Sequence, residues 1–79
     1  MTWTVDWSPV AERDVLRMHW QLAARICRAV LLFAEQGIGE PEITEHASVK
    51  RLRVPGAVAL FRPETETRTL YVLRIYASR

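Results

Sequence analysis

The feature that most constrains this chain is a change of apolar period part-way along it. Between Ser8 and Gly37 the apolar residues recur at three- and four-residue intervals, and after Ser48 they recur at every second position. The first interval belongs to a helix with one buried stripe, the second to a strand with one buried face. Ala11, Val15 and Met18 predict a first helix over roughly residues 9–18. Ser8 stands where a cap is wanted, and Pro9 at the first helical position, where no N–H is needed. Leu22, Ile26, Val30 and Phe33, widened by Ala23, Cys27 and Ala34, predict a second helix that ends at Gly37, a natural left-handed cap. Ahead of both, Trp3, Val5 and Trp7 alternate with polar residues and predict a strand over Thr2–Trp7.

Residues 37–46 hold two glycines, a proline and three glutamates and read as an exposed loop. Three strands are expected beyond it: one from about Val49 to Val54, one over Ala57–Arg62 after a Pro55-Gly56 turn, and one over Thr69–Tyr76. The expected fold is therefore α+β, in the order β-α-α-β-β-β, as one domain over residues 1–79. Two helices on one face of a mostly antiparallel four-stranded sheet give the only economical core for that order. The opposite sheet face is left open. At this length a chain buries only about 60% of its unfolded surface, so one core is all it supports.

The longest unbroken apolar stretch, Ala29–Ala34, falls far short of the roughly 18 residues of a spanning helix, so no membrane partner is expected. The first ten residues carry no Lys or Arg, and Cys27 is the single cysteine. Neither a secretory signal nor a disulfide framework is expected, and the cytoplasm is the expected compartment. The formal charge of +2 conceals an asymmetry. Residues 1–45 hold seven acids against four arginines, whereas residues 46–79 hold seven basic groups against two acids. Ten of the eleven basic residues are arginine, whose planar fork suits phosphate or carboxylate. Two readings stay open on charge alone: a phosphate-binding face, or salt bridges to the glutamates at 40–45.

Several chemistries are set aside by what is missing. The three glycines lack the spacing of a phosphate loop, and no nucleophile-elbow sequence occurs. His19 and His46 lie in separate segments, so neither a metal site nor a cofactor is expected. Cys27 falls on the apolar side of its helix and reads as a packing residue. Trp3, Trp7 and Trp20 are expected to pack in the core or at a subunit contact, and Phe61 and Tyr71 to pack as well. What remains is the basic β region. If Leu52 faces the helices, strand alternation sends Arg51 and Arg53 to the open face and Lys50 away from them. Arg62 then shares a face with Val58 and Leu60, and Arg74 with Leu70 and Val72. Tyr76 is the aromatic residue expected to contact a ligand.

The run Val49–Arg62 (VKRLRVPGAVALFR), an acidic turn, and Leu70–Arg79 (LYVLRIYASR) resemble the RelE/ParE superfamily of toxins from bacterial toxin–antitoxin pairs. The preceding strand and helical hairpin match too, so the resemblance covers essentially the whole chain. It implies a cognate antitoxin as partner and, in the RelE branch, cleavage of mRNA on the ribosome without a metal. In that reaction a ribose 2′-hydroxyl attacks the adjacent phosphate. Carried over by position, the resemblance implies Arg51, Arg53 and Arg79 as catalytic residues. Lys50, Arg62, Arg74 and Tyr76 form the wider RNA-contacting set. Two departures are visible: Val58 stands where the family usually has an arginine, and the branch's catalytic tyrosine belongs beyond Arg79. They imply the alternatives, a ParE-like inhibitor of DNA gyrase or a homologue of weakened catalysis acting as a binding module.

Overall fold

A computed structural model describes residues 2–78. Its elements are β1 (Thr4–Trp7), α1 (Pro9–Arg17), α2 (Trp20–Gln36), β2 (Glu42–Ile43), β3 (Lys50–Val54), β4 (Ala57–Glu64) and β5 (Thr69–Ala77). The helix limits follow local chemistry. Ser8 Oγ accepts from the Ala11 backbone N–H at 3.0 Å and donates to the Leu73 carbonyl at 3.0 Å, so one hydroxyl caps α1 and ties it to β5. His19 Nδ1 accepts from the Gln21 N–H at 3.3 Å and starts α2. Gly37 ends α2 at φ +70°, its N–H returned to the Phe33 carbonyl at 3.0 Å.

The five strands lie in the order β1-β5-β4-β3-β2, with β1 parallel to β5 and every other pair antiparallel. The expected α+β class and both helices are present, but the sheet has five strands rather than four. The additional strand, Glu42–Ile43, lies in the segment read as loop. Two exposed residues bounded by Pro41 and Thr44 carry no period, and the strand exists only because β3 presents an unpaired edge there.

Ala11, Ile26, Val30 and Ala34 of the helices close on Leu52, Ala57, Ala59, Phe61, Leu70, Val72 and Ile75 of the sheet. Trp3, Val5 and Trp7 pack at the margin of this core, and the Phe33 and Phe61 rings meet at 5.6 Å and 54°. Of the two places expected for it, Trp20 does not take the core. It is 71% exposed and stacks only against His19, because it opens α2 on the outer side of the hairpin. Cys27 is half-buried on α2, and burial raises its thiol pKa, which disfavours the thiolate.

Strict alternation fails in β5. The ladder passes from Leu60↔Arg74 to Phe61↔Val72, so Leu73 is an extra residue. A bulge of this kind inverts the face of everything beyond it. Ile75, not Arg74, therefore joins Leu70 and Val72 in the core. Arg74 leaves the face it was expected to share with them and turns to α1, where its Nε lies 2.9 Å from Asp14 Oδ2. The same carboxylate accepts from the Ile75 backbone N–H at 2.9 Å. Asp14 thus completes the β5 edge where β1 has ended.

Candidate functional site

The sheet face turned away from the helices is ordered by the cross-strand register. Arg53, Val58 and Tyr76 form one row, and Arg51, Leu60 and Arg74 the next. Arg62 and Tyr71 follow as a pair. Side chains in such rows stand about 5 Å apart. The face therefore carries an arginine column on β3, an apolar centre on β4 and tyrosines on β5. Val58 is 1% exposed although it belongs to this outer face, between Arg53 and Tyr76. An apolar floor between guanidiniums and phenol rings is a surface on which a base can stack while its phosphate meets a cation.

Each of these arginines has an acidic neighbour. Glu42 Oε1 lies 3.0 Å from Arg51 Nε and 3.4 Å from Arg53 Nη2. Its second oxygen accepts from Arg53 Nε at 3.5 Å. Arg62 Nη2 is 3.1 Å from Glu64 Oε1, and its guanidinium carbon sits 5.4 Å from the centre of the Tyr71 ring. The salt-bridge reading of the charge pattern is thus realised through Glu42, without removing the phosphate reading. These pairs are partly exposed, and such pairs are worth only about 0–1 kcal/mol, so an incoming phosphate can exchange for the carboxylate. Two donors are also left over. Arg51 Nε and Arg62 Nε are buried without a hydrogen bond, the Arg51 N–H being misaligned with Glu42 despite the short distance.

The expected site residues do not all assemble. Arg51, Arg53, Arg62 and Tyr76 share the open face. Lys50 lies on the helix side, where it lines a cavity of about 410 Å³ with Trp3, Phe33, Phe61 and Leu70. Arg74 is committed to Asp14: their hydrogen bond holds the Asp14 carboxyl below its usual range and raises the Arg74 pKa. Arg79 lies outside the described residues.

A second cavity opens on the arginine face itself. Its volume is about 370 Å³, and Thr44, Glu45, His46, Val49, Arg51, Leu60 and Tyr76 line it. β2 and the turn that follows it thus bring two carboxylate-bearing residues, Glu42 and Glu45, and an imidazole to the basic face. The glutamates at 40–45 were expected as salt-bridge partners of the basic strand, whereas His46 had no expected role here, its one signal being closeness to that strand. Among the described residues no group of three His, Cys, Asp or Glu side chains is placed to hold a metal ion. Away from this face, the helical hairpin exposes Leu16 (84%), Trp20 and Leu31 (43%). Among the described residues no helix is long and apolar enough to cross a membrane.

Comparison with solved structures gives full-length similarities. A chain of the toxin–antitoxin complex RelBE2 from Mycobacterium tuberculosis matches at 25% identity and a TM-score of 0.74, over 99% of this chain and 93% of that one. The isolated E. coli RelE toxin matches at 7% identity and a TM-score of 0.80, over 99% and 86%. A chain of the archaeal RelE–RelB complex of Pyrococcus horikoshii matches at 8% identity and a TM-score of 0.73, over 98% and 96%. No protein-family model matches the sequence, and no curated protein matches it.

Proposed function

We propose that this chain, whose fold matches that of solved RelE toxins, is the toxin of a toxin–antitoxin pair and cleaves mRNA on the ribosome. The observation that carries this reading is the pairing of Arg51 and Arg53 on one open face, beside a cavity walled by Tyr76. Attack of a ribose 2′-oxygen on the neighbouring phosphorus concentrates negative charge on the non-bridging oxygens. Two guanidiniums can neutralise that charge without a metal, and they act best where it develops. Arg51 and Arg53 take this role, with Arg79 as the third cation that the family resemblance supplies. Tyr76 offers a ring for stacking, and Arg62, already against Tyr71, extends the contact along the strand. Lys50 and Arg74 are left out of this set by their positions.

The partner we propose is an antitoxin encoded beside this chain, as the solved RelB–RelE complexes contain one. The exposed apolar residues Leu16, Trp20 and Leu31 on the hairpin favour docking there. A second reading, inhibition of DNA gyrase, draws on Val58: an apolar residue sits in the middle of the basic face, where a nuclease of this superfamily usually has an arginine.

Induction of the chain in bacteria, with and without the adjacent reading frame, separates these readings. A ribosome-dependent nuclease halts protein synthesis and leaves new transcript ends. A gyrase inhibitor leaves transcripts intact and alters DNA supercoiling. Normal growth without the partner, with neither effect, would overturn the toxin reading.

A further inference from the structure

The reaction proposed above requires a group that takes the proton from the attacking 2′-hydroxyl. Guanidinium cannot do so, because it stays protonated at any physiological pH. A titratable group must therefore stand beside Arg51, and the cavity on the arginine face offers Glu45, His46 and Tyr76. We infer that His46 is the general base of this site, and the inference rests on the nuclease reading.

Three observations carry it. First, His46 and Arg51 line the same cavity of about 370 Å³, with Leu60 as floor and Tyr76 as the wall contributed by β5. Second, the turn that holds the imidazole is tied down at both ends. The Thr44 hydroxyl lies 2.9 Å from the His46 carbonyl oxygen and 2.8 Å from that of Val49, and it accepts from the His46 N–H at 3.2 Å. The Val49 N–H also returns to the His46 carbonyl at 3.0 Å. Third, the ring has one nitrogen engaged: Nδ1 is 3.0 Å from Ser48 Oγ. When Nδ1–H donates to Ser48, the lone pair is on Nε2, which is the form a base needs. The other imidazole of the chain, His19, is used at the start of α2.

The charged and titratable groups facing His46 are Glu45 from its own turn, Arg51 from β3 and Tyr76 from β5. β4 contributes only Leu60. Imidazole is the side chain whose ordinary titration falls between pH 5 and 8, so it can both accept and release a proton under physiological conditions. The step balances without an outside reagent. Nε2 takes the 2′-hydroxyl proton as O2′ bonds to phosphorus, and the bond from phosphorus to O5′ breaks. The leaving O5′ takes a proton from water, and the hydroxide so formed recovers the proton held on Nε2. The products are a 2′,3′-cyclic phosphate and a 5′-hydroxyl. Arg51, freed from Glu42 by the phosphate, holds the non-bridging oxygens through this step.

The test is single-turnover cleavage of mRNA on bacterial ribosomes by the full chain, followed from pH 5 to 8.5. His46→Gln should cut the rate about 10²-fold or more, leave ribosome binding unchanged, and flatten the rise of rate with pH. His46→Ala should recover part of its rate when imidazole is added, which a structural role would not allow. Glu66→Gln, in the exposed turn between β4 and β5, should stay within about threefold of the parent rate. His46→Gln within threefold of the parent overturns the inference, as does a loss with the parent pH profile and no rescue. If Arg51→Ala is slow while His46→Gln is not, the nuclease reading stands and only the base is wrong. A parent chain that leaves mRNA intact overturns both.

Discussion

Glu42 and Arg51 face each other across the β2–β3 ladder, and one carboxylate oxygen lies 3.0 Å from the guanidinium Nε. The same carboxylate reaches Arg53, so an acid on a two-residue edge strand occupies the place where a bridging pair of guanidiniums would hold a phosphate. Competition follows from that geometry. Glu42→Gln should bind a short single-stranded RNA more tightly than the parent, by up to about fivefold, since an exposed pair is worth about 0–1 kcal/mol. Fluorescence anisotropy at fixed salt reads this directly. Weaker binding by the variant would mean that Glu42 orients the arginines instead of competing for them.

Removing the arginines should act in the opposite sense. Arg51→Ala and Arg53→Ala should each weaken RNA binding at every sequence and lower the slope of log affinity against log salt by about 0.7, the value for one phosphate of a single strand. The control belongs at Arg28, exposed on α2. Arg25 on the same helix is unsuitable because its Nη1 donates to the Pro55 carbonyl at 2.8 Å and so braces the β3–β4 turn. Equal losses at Arg28 and Arg51 would move the binding surface off the sheet.

Acid should release the link between α1 and β5. The Asp14 carboxyl is held below its usual range chiefly by the Arg74 guanidinium, with help from the Ile75 N–H and against the effect of burial. A depressed carboxyl pKa stabilises the fold fully above the unfolded value near 3.9, and that contribution is lost as pH falls through the folded value. Asp14→Ala should cost about 1–3 kcal/mol at pH 7, since it leaves the Ile75 N–H without its acceptor. Urea unfolding at pH 7 and at pH 3 should show the difference between variant and parent shrinking in acid. A constant difference would remove Asp14 as the source.

Gly56 tests the β3–β4 turn. Its φ of +89° is disfavoured for any residue with a Cβ, and that atom would stand 2.9 Å from Leu22 Cδ1. Leu22 can move the end of its side chain, so backbone strain sets most of the cost. Gly56→Ala should destabilise by about 1–3 kcal/mol, with a fall in Tm of several degrees in a chain this small. An unchanged Tm would mean that the turn relaxes freely.

The extent to which the sequence was legible follows from the range of the forces involved. Ser8, Pro9 and Gly37 act on backbone groups within four residues, and the helix stripes and strand alternation are properties of neighbouring residues. Both helices, the three long C-terminal strands and the placing of Leu52 inward with Arg51 and Arg53 outward could therefore be read from the chain itself. The family likeness drew on the same local pattern. Which of its two expected places Trp20 takes could not be read there, because an aromatic residue opening a helix looks the same whether or not another element covers it. The bulge at Leu73 escaped it because a strand shows its period only until a partner's register demands an extra residue; Arg74 and Ile75 exchanged faces on that account. Asp14 meets Ile75 across 61 positions of chain, and Glu42 meets Arg53 across 11. His46 reaches the arginine face only because β2 finds an edge to pair with. Local sequence decided which elements form and which way their side chains point; only the packed sheet decided which distant acids and which imidazole would stand beside the arginines, because those contacts depend on registers that no single segment encodes.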